Sequence, residues 1–241
     1  MSNPFVRKIQ AYTALTDEDT VMLERACLNV QSVPARRDLI REGDKPSSVF
    51  VILAGWACRY KLLPEGGRQI TAFLMPGDFC DMHVAVLDEM DHNIATLTEA
   101  RVAQIGRAEM EDMIDSRPSI TRAFWRTQIV DESVLRAWIV SMGRRNAQER
   151  VAHLLCELFV RAASIEMVAF GDPFELPLTQ VVLADSLGLT PVHVNRVLRT
   201  LKDNGAIALT RGKLIVVDTT RLARIAGIDD NYLHRRLRKA S

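Results

Sequence analysis

Apolar and polar positions are arranged differently in the two halves of this chain. Between about residues 35 and 106, short runs rich in β-formers, such as 48–53 and 69–74, are separated by segments rich in Gly, Pro and Asp: 42–44, 64–67 and 76–78. Short strands at such spacing, with turn residues between them, are typical of an antiparallel sandwich or barrel. The pattern predicts an N-terminal β domain.

From about residue 118 to residue 142 the apolar pattern becomes helical. Large apolar residues follow a heptad-like spacing, with one break around Gln128 and Asp131: Ile120, Phe124, Leu135, Trp138 and Met142. This spacing favours a long helix that pairs in parallel with the same helix of a second copy. The alternative is that the stripe packs on the chain's own β domain. Gly143 and the capping-box-like residues 146–149 place a hinge near 143–146.

Two short helices are predicted between residues 179 and 204. Thr179 is a suitable N-cap for the first, Gly188 provides a tight turn, and Thr190 with Pro191 begins the second. Two helices joined in this way form a helix-turn-helix, whose second helix enters the DNA major groove.

The two faces of the second helix differ in chemistry. Its apolar stripe is suited to packing on the first helix: Val194, Val197, Leu198 and Leu201. The other candidate contact residues lie outside this stripe: Thr190, Pro191, Val192 and His193 at the start of the helix, then Asn195, Arg196 and Arg199. An Arg can donate two hydrogen bonds to guanine and an Asn can pair with adenine. We therefore predict that this face contacts DNA bases.

Residues 206–217 then predict a β-hairpin with a basic tip at Arg211 and Lys213. A helix-turn-helix followed by such a hairpin is a winged helix, whose tip can contact phosphate. The backbone N–H groups of Thr179 and Gln180 are further candidates for a phosphate contact. The alternative is a pair of helices used only for packing.

Charge supports a polyanion partner for the C-terminal part alone. The 241 residues carry a net charge of +1, but residues 144–241 hold 15 Lys and Arg against 10 Asp and Glu, and the rest hold 16 against 20. No apolar run of eighteen residues and no signal peptide is present, so we expect a cytoplasmic protein without membrane contact. No P-loop, nucleophile-elbow or zincin motif is present, so we expect no enzyme and no catalytic residue.

Several of these segments resemble the Crp/Fnr family of bacterial regulators. Residues 41–44, 51–55 and 76–79 look like the turns of its cyclic-nucleotide-binding-type jelly roll, 118–142 like its dimerisation helix and 178–217 like its winged helix. The resemblance implies an α+β fold with three parts: a jelly-roll barrel sensor over 1–116, a dimerisation helix over 117–143 and a winged helix over 144–241. It also implies a homodimer on a pseudo-palindromic operator in double-stranded DNA, with RNA polymerase a further candidate partner.

The chain departs from the family at its best-known ligand sites. Members that bind cyclic AMP have a Glu and then an Arg-Ser pair where this chain has Met82, His92 and Asn93, and the adenine-contacting pair falls on Leu135 and Arg136. The missing guanidinium argues against cyclic AMP. Members with an iron–sulfur cluster carry an N-terminal cysteine group, whereas Cys27 stands alone here, so we expect neither that cluster nor another cofactor or metal.

The effector pocket is expected around the turn near residue 78. Its candidate residues are Gly77, Asp78, Phe79, Cys80, Met82, His83, His92, Asn93, Leu135 and Arg136. An alternative is a barrel that signals through protein contacts, or through thiol or metal redox chemistry at Cys80 and His83. At the DNA interface, Val192 lies where relatives have a Glu and is suited to a thymine methyl, so the operator is expected to differ from the family's best-known sites.

Overall fold

The computed structural model describes residues 3–45, 47–80, 88–211 and 213–234. Its helices are α1 Pro4–Gln10, α2 Asp17–Ala26, α3 Arg107–Ser116, α4 Pro118–Arg144, α5 Ala147–Ser164, α6 Gln180–Leu187, α7 Pro191–Asp203 and α8 Thr219–Ala226, with a 3-10 helix at Asp230–Leu233. Its strands are β1 Val30–Val33, β2 Asp38–Ile40, β3 Ser48–Ala54, β4 Ala57–Leu62, β5 Arg68–Leu74, β6 Phe79–Cys80, β7 Asn93–Thr96, β8 Ala100–Gly106, β9 Phe174–Leu176, β10 Ile207–Thr210 and β11 Lys213–Val216.

The first eight strands form two four-stranded sheets. One has the order β1-β8-β3-β6 and the other the order β2-β7-β4-β5. The pairings within them are antiparallel, as between β3 and β8 and between β4 and β7. Ile52, Ile94 and Val102 pack in the interior between the sheets. The predicted antiparallel β domain is therefore confirmed.

Strand β3 is buried on both of its faces. Because successive side chains alternate, Ile52 belongs to the interior cluster, whereas Val49 and Val51 belong to a second cluster on the outer face. Helices α1 and α3 and the first part of α4 cover that outer face, and Phe5 of α1 is completely buried there. The β domain thus needs helices at both ends of its sequence to complete its core.

The outer core corrects the prediction for the long helix. Ile120 and Phe124 are buried in the chain's own outer cluster, so they are not available to a second copy. The prediction that they form a dimer interface is wrong, and the alternative packing on the β domain holds for them. The physical reason is that the outer face of the sheet must itself be covered by apolar side chains.

The later part of the stripe also packs within the chain. Trp138 is buried, and its indole Nε1 donates to the Glu157 carboxylate of α5 at 3.0 Å. Met142 is half-buried, and its Cε would lie 2.8 Å from a Cβ placed on Gly188. Of the predicted interface residues, Leu135 is the one with an exposed side chain.

Clustering of contacts divides the described chain into two compact units. The first comprises the described residues up to Lys61, those of Thr71–Asp131 and His234. The second comprises Leu62–Ile70 and the described residues of Glu132–Leu233. In the second unit, Asn146 caps α5 through a capping box with Glu149, as its sequence indicates. No helix among the described residues is both long enough and apolar enough to cross a bilayer.

Candidate nucleic-acid interface and sensor domain

Helices α6 and α7 form the predicted helix-turn-helix. The Thr179 hydroxyl accepts a hydrogen bond from Val182 N, and the Thr190 hydroxyl accepts one from His193 N at 3.2 Å. Gly188 ends α6 in the left-handed conformation, with φ 61°. A glycine adopts this conformation without the steric cost of a Cβ, so the chain can turn sharply into α7.

Helix α7 presents two chemically distinct faces. The apolar stripe Val194, Val197, Leu198 and Leu201 is buried. The predicted base-contacting residues lie on the other side, where Val192 is 72% exposed, His193, Arg196 and Arg199 are exposed and Asn195 is half-buried. A guanidinium on this face can reach a base edge, because hydrophobic packing uses only the buried stripe.

The wing is a three-stranded sheet with the order β10-β11-β9. Thr210 and Lys213 face each other across its tip, and Arg211 is exposed there with φ 49°; Gly212 lies outside the described residues. Lys213 Nζ lies 3.0 Å from Glu175 Oε2 on β9. A solvent-exposed ion pair contributes little free energy, so Lys213 can exchange Glu175 for a phosphate.

The third strand of the wing escaped the sequence analysis. Residues 174–176 form too short a run to predict a strand, and their partner β11 lies almost forty residues further along the chain. The only available signal was the alternation of Phe174, Glu175 and Leu176 between Pro173 and Pro177.

In the β domain, the turn at residues 77–79 packs against α1. A Cβ on Gly77 would lie 2.5 Å from the carbonyl oxygen of Pro4. Asp78 is buried and accepts hydrogen bonds from Lys8 Nζ at 2.5 Å and Met75 N at 2.7 Å. The ring of Phe79 packs edge-on against Phe5 at a centroid distance of 5.4 Å. Gly77, Asp78 and Phe79 therefore all contact α1, and their assignment to an effector pocket stays a prediction.

Cys80 points to the other side of β6 from Phe79. Its side chain is fully buried in the interior cluster, and its thiol donates to Phe50 O at 3.3 Å. This environment is that of a small apolar core residue. Met82 and His83 lie outside the described residues.

The residues at the family's phosphate position are bonded to other protein groups. His92 Nδ1 lies 2.6 Å from Asp91 Oδ1, and this bond holds the pKa of the Asp91 carboxyl below its ordinary value. Asn93 Oδ1 accepts a hydrogen bond from Glu42 N at 3.1 Å.

Arg59 of β4 also lies at this position, and the sequence analysis missed it. Its Nε donates to His92 Nε2 at 3.1 Å. The register pairs Arg59 with Ile94, which belongs to the interior cluster, so the two side chains project from the same face. An ungapped alignment cannot find such a residue, because it comes from a neighbouring strand more than thirty positions away.

Leu135 and Arg136 lie on the surface of α4. Arg136 donates to Ser133 Oγ at 2.7 Å and lies 3.4 Å from Glu132 Oε2, both on the same helix. Local contacts therefore fix the side chain of Arg136.

These features define a class of protein: a DNA-binding regulator with a sensor-type β-barrel, a long helix and a winged helix. The model of the cyclic nucleotide-binding domain matches residues 30–117, and that of the Crp-like helix-turn-helix domain matches residues 149–225. The chain belongs to the Crp/Fnr family of bacterial transcription regulators, which are not enzymes.

Relatives and solved structures agree with this family. The nitrogen fixation regulation protein FixK of Bradyrhizobium diazoefficiens is 34% identical over 187 residues, which cover 77% of this chain and 76% of FixK. The transcriptional activator protein FnrL of Cereibacter sphaeroides is 30% identical over 205 residues, covering 83% of this chain and 82% of FnrL. The structure of FixK2 from Bradyrhizobium japonicum has the same fold, with a TM-score of 0.72 at 23% identity, covering 83% of this chain and 98% of FixK2.

Proposed function

We propose that this regulator binds a two-fold symmetric operator as a homodimer, with one α7 helix in the major groove of each half-site. The polar face of α7 carries the proposal, because Arg196 and Arg199 project from it while the opposite face is buried. About three or four side chains of such a helix reach base edges, so two copies one helical turn apart can recognise two half-sites.

An exposed apolar face of α4 supports the dimer. Five large apolar side chains of α4 are exposed: Trp125, Ile129, Leu135, Ile139 and Val140. At 3.6 residues per turn they lie within an arc of about 140°. The exposed ion pair of Glu132 and Arg136 lies within the same arc. Large exposed apolar side chains together with such charged residues are typical of a helix face that a second helix covers. This face shares only Leu135 with the stripe predicted from the sequence, whose other members pack within the chain.

We also propose that the barrel does not bind cyclic AMP in the family's manner. Asn93 and His92 occupy the phosphate positions, and both are bonded to neighbouring groups. Arg59 brings a guanidinium to the phosphate position. This residue lies on β4, however, and its Nε donates a hydrogen bond to His92 Nε2. A cyclic phosphate bound here would need a different geometry from the family's Arg-Ser pair.

The test is selection of bound sequences from random duplex DNA near physiological salt, with and without added cyclic AMP. We expect a two-fold symmetric motif with half-sites about one helical turn apart in both cases. Enrichment of an asymmetric motif would contradict the dimeric arrangement. A motif recovered only with the nucleotide would contradict the second proposal.

A further inference from the structure

Three helix C-termini meet at the connection between α4 and α5. Helix α4 ends at Arg144, α6 ends at Leu187 and α8 ends at Ala226. The last carbonyl groups of a helix lack intrahelical partners and carry the negative end of its dipole. Bringing three such ends together is unfavourable unless cations or hydrogen-bond donors lie between them.

Two half-buried arginines supply those donors. Arg150 of α5 donates from Nε to Arg145 O at 2.9 Å and from Nη1 to Leu187 O at 3.3 Å. Arg145 donates from Nε to Ala226 O at 3.2 Å. The guanidinium of Arg150 therefore bridges the end of α4 and the end of α6 in one plane. A lysine ammonium lacks this planar arrangement of donors and cannot reproduce it.

The carbonyl that Arg150 holds belongs to the helix-turn-helix turn. Leu187 immediately precedes Gly188, and Thr190 caps α7 only two residues later. Met142 of α4 lies against the same turn, as the short distance from its Cε to a Cβ on Gly188 shows. Met142 and Arg150 thus connect the turn before the recognition helix to the end of α4.

We propose that Arg150 is a positioning residue for DNA recognition. It makes no contact with bases itself, and it fixes the orientation of α7 relative to the end of α4. This inference rests on the proposed dimer on two half-sites. If α4 pairs with its copy, the angle between α4 and α7 sets the distance between the two recognition helices, and therefore the half-site spacing that the protein accepts.

The experiment measures spacing discrimination by the full-length protein. The operator recovered by selection is compared with versions whose half-sites are one or two base pairs closer or further apart, by fluorescence anisotropy at fixed salt. The variants are Arg150→Met and Arg150→Lys. The matched control is Arg107→Met, which removes an exposed guanidinium of α3 that lies 2.9 Å from Glu111 Oε1. Random duplex DNA measures the non-specific affinity.

We expect the wild type and the Arg107→Met control to lose about tenfold or more in affinity on each altered spacing. The affinity of Arg150→Met for the operator should differ by less than about threefold from its affinity for each altered spacing. Its affinity for random DNA should stay within about twofold of the wild type. Arg150→Lys, which keeps the charge but not the planar bridge, should lie between the two.

Full discrimination by Arg150→Met would overturn the inference. Thermal unfolding shows whether Arg150→Met folds. If it does not fold, Arg150→Lys replaces it in the test, and full spacing discrimination by folded Arg150→Lys would overturn the inference. A wild type that binds every spacing equally well would contradict the proposed two-half-site operator, and this inference with it. Loss of discrimination in the variants alone supports the inference separately from the proposed function.

Discussion

At the scale of single residues, Arg196 and Lys213 differ in what they can contribute to DNA binding. Arg196 is exposed on the recognition helix, and Lys213 lies at the tip of the wing beside Glu175. We expect Arg196→Ala to cost about 1–3 kcal/mol on the operator and to relax specificity at one base position. Lys213→Ala should weaken all sequences alike and reduce the salt slope by about one.

Competition binding on the operator and on random duplex, repeated at several salt concentrations, measures both effects. Equal losses on operator and random DNA for Arg196→Ala would contradict its assignment as a base-contacting residue. A sequence-dependent loss for Lys213→Ala would contradict the phosphate assignment.

His153 makes folding stability depend on pH. It is buried in α5 and stacks on Tyr232 at a centroid distance of 5.6 Å, and burial together with the charge of Arg145 lowers the pKa of its imidazole from 6.5 to about 4. Between these values the unfolded chain binds more protons at this residue than the folded chain does. Stability is therefore lost as the pH falls through this range, by about 2 kcal/mol between pH 7.5 and pH 5.

Glu157, one helical turn away, has the opposite effect. Burial raises the pKa of its carboxyl, so the folded chain binds a proton there more readily and is stabilised as the pH falls. His153→Phe keeps an aromatic ring for the stack but cannot titrate. Denaturant unfolding at fixed protein concentration should show the wild type losing about 2 kcal/mol more than this variant between pH 7.5 and pH 5. Parallel pH profiles for the two proteins would refute the role of His153.

At the scale of elements, α1 is part of the β domain's core although it has only seven residues. Lys8 on this helix forms a buried ion pair with Asp78, and Phe5 packs between Phe79 and Phe124. Removing one member of a buried pair leaves the other charge without compensation. We expect Lys8→Met to lower the free energy of unfolding by about 3 kcal/mol.

A second substitution separates charge from packing in this element. Adding Asp78→Asn to Lys8→Met removes the uncompensated carboxylate and keeps an oxygen that can accept from Met75 N. More than half of the lost stability should return in the double variant, as denaturant unfolding would measure. A double variant no more stable than Lys8→Met would show that the loss came from apolar contacts of the lysine stem.

At the scale of the whole molecule, the proposed dimer depends on the exposed face of α4. Ile139 is 71% exposed, so Ile139→Glu should not disturb the monomer but should place a charge in the proposed dimer interface. We expect this variant to be monomeric at micromolar concentration and to bind the operator about a hundredfold or more weakly, because the two half-sites then bind independently.

Light scattering coupled to size-exclusion chromatography measures the mass of the protein in solution and so separates monomer from dimer. Val21→Glu is the matched control, since Val21 is also exposed but lies on α2. A dimeric Ile139→Glu variant with unchanged operator affinity would place the interface elsewhere on the molecule.

Elements with local signals could be predicted from the amino-acid sequence. These signals depend on neighbours within a few positions. They include the helix caps Thr179, Thr190 and Asn146, the left-handed Gly188 and the alternating strands of the β domain. Such preferences of the backbone act wherever the residues occur, so the helix-turn-helix and the hairpin of β10 and β11 could be predicted from the chain alone, whereas β9 could not. The family resemblance rested on the same turns.

The partner of each apolar face could be assigned only from the packing of the folded chain. The spacing of Ile120, Phe124 and Trp138 is the same for a dimer interface and for packing within the chain, and burial assigned all three to the chain's own core. The contacts of Arg59 with His92 and of Arg150 with Leu187 join residues more than thirty positions apart. Periodicity specifies which face of a helix or strand is apolar, but the partner of that face depends on the packing of the whole chain.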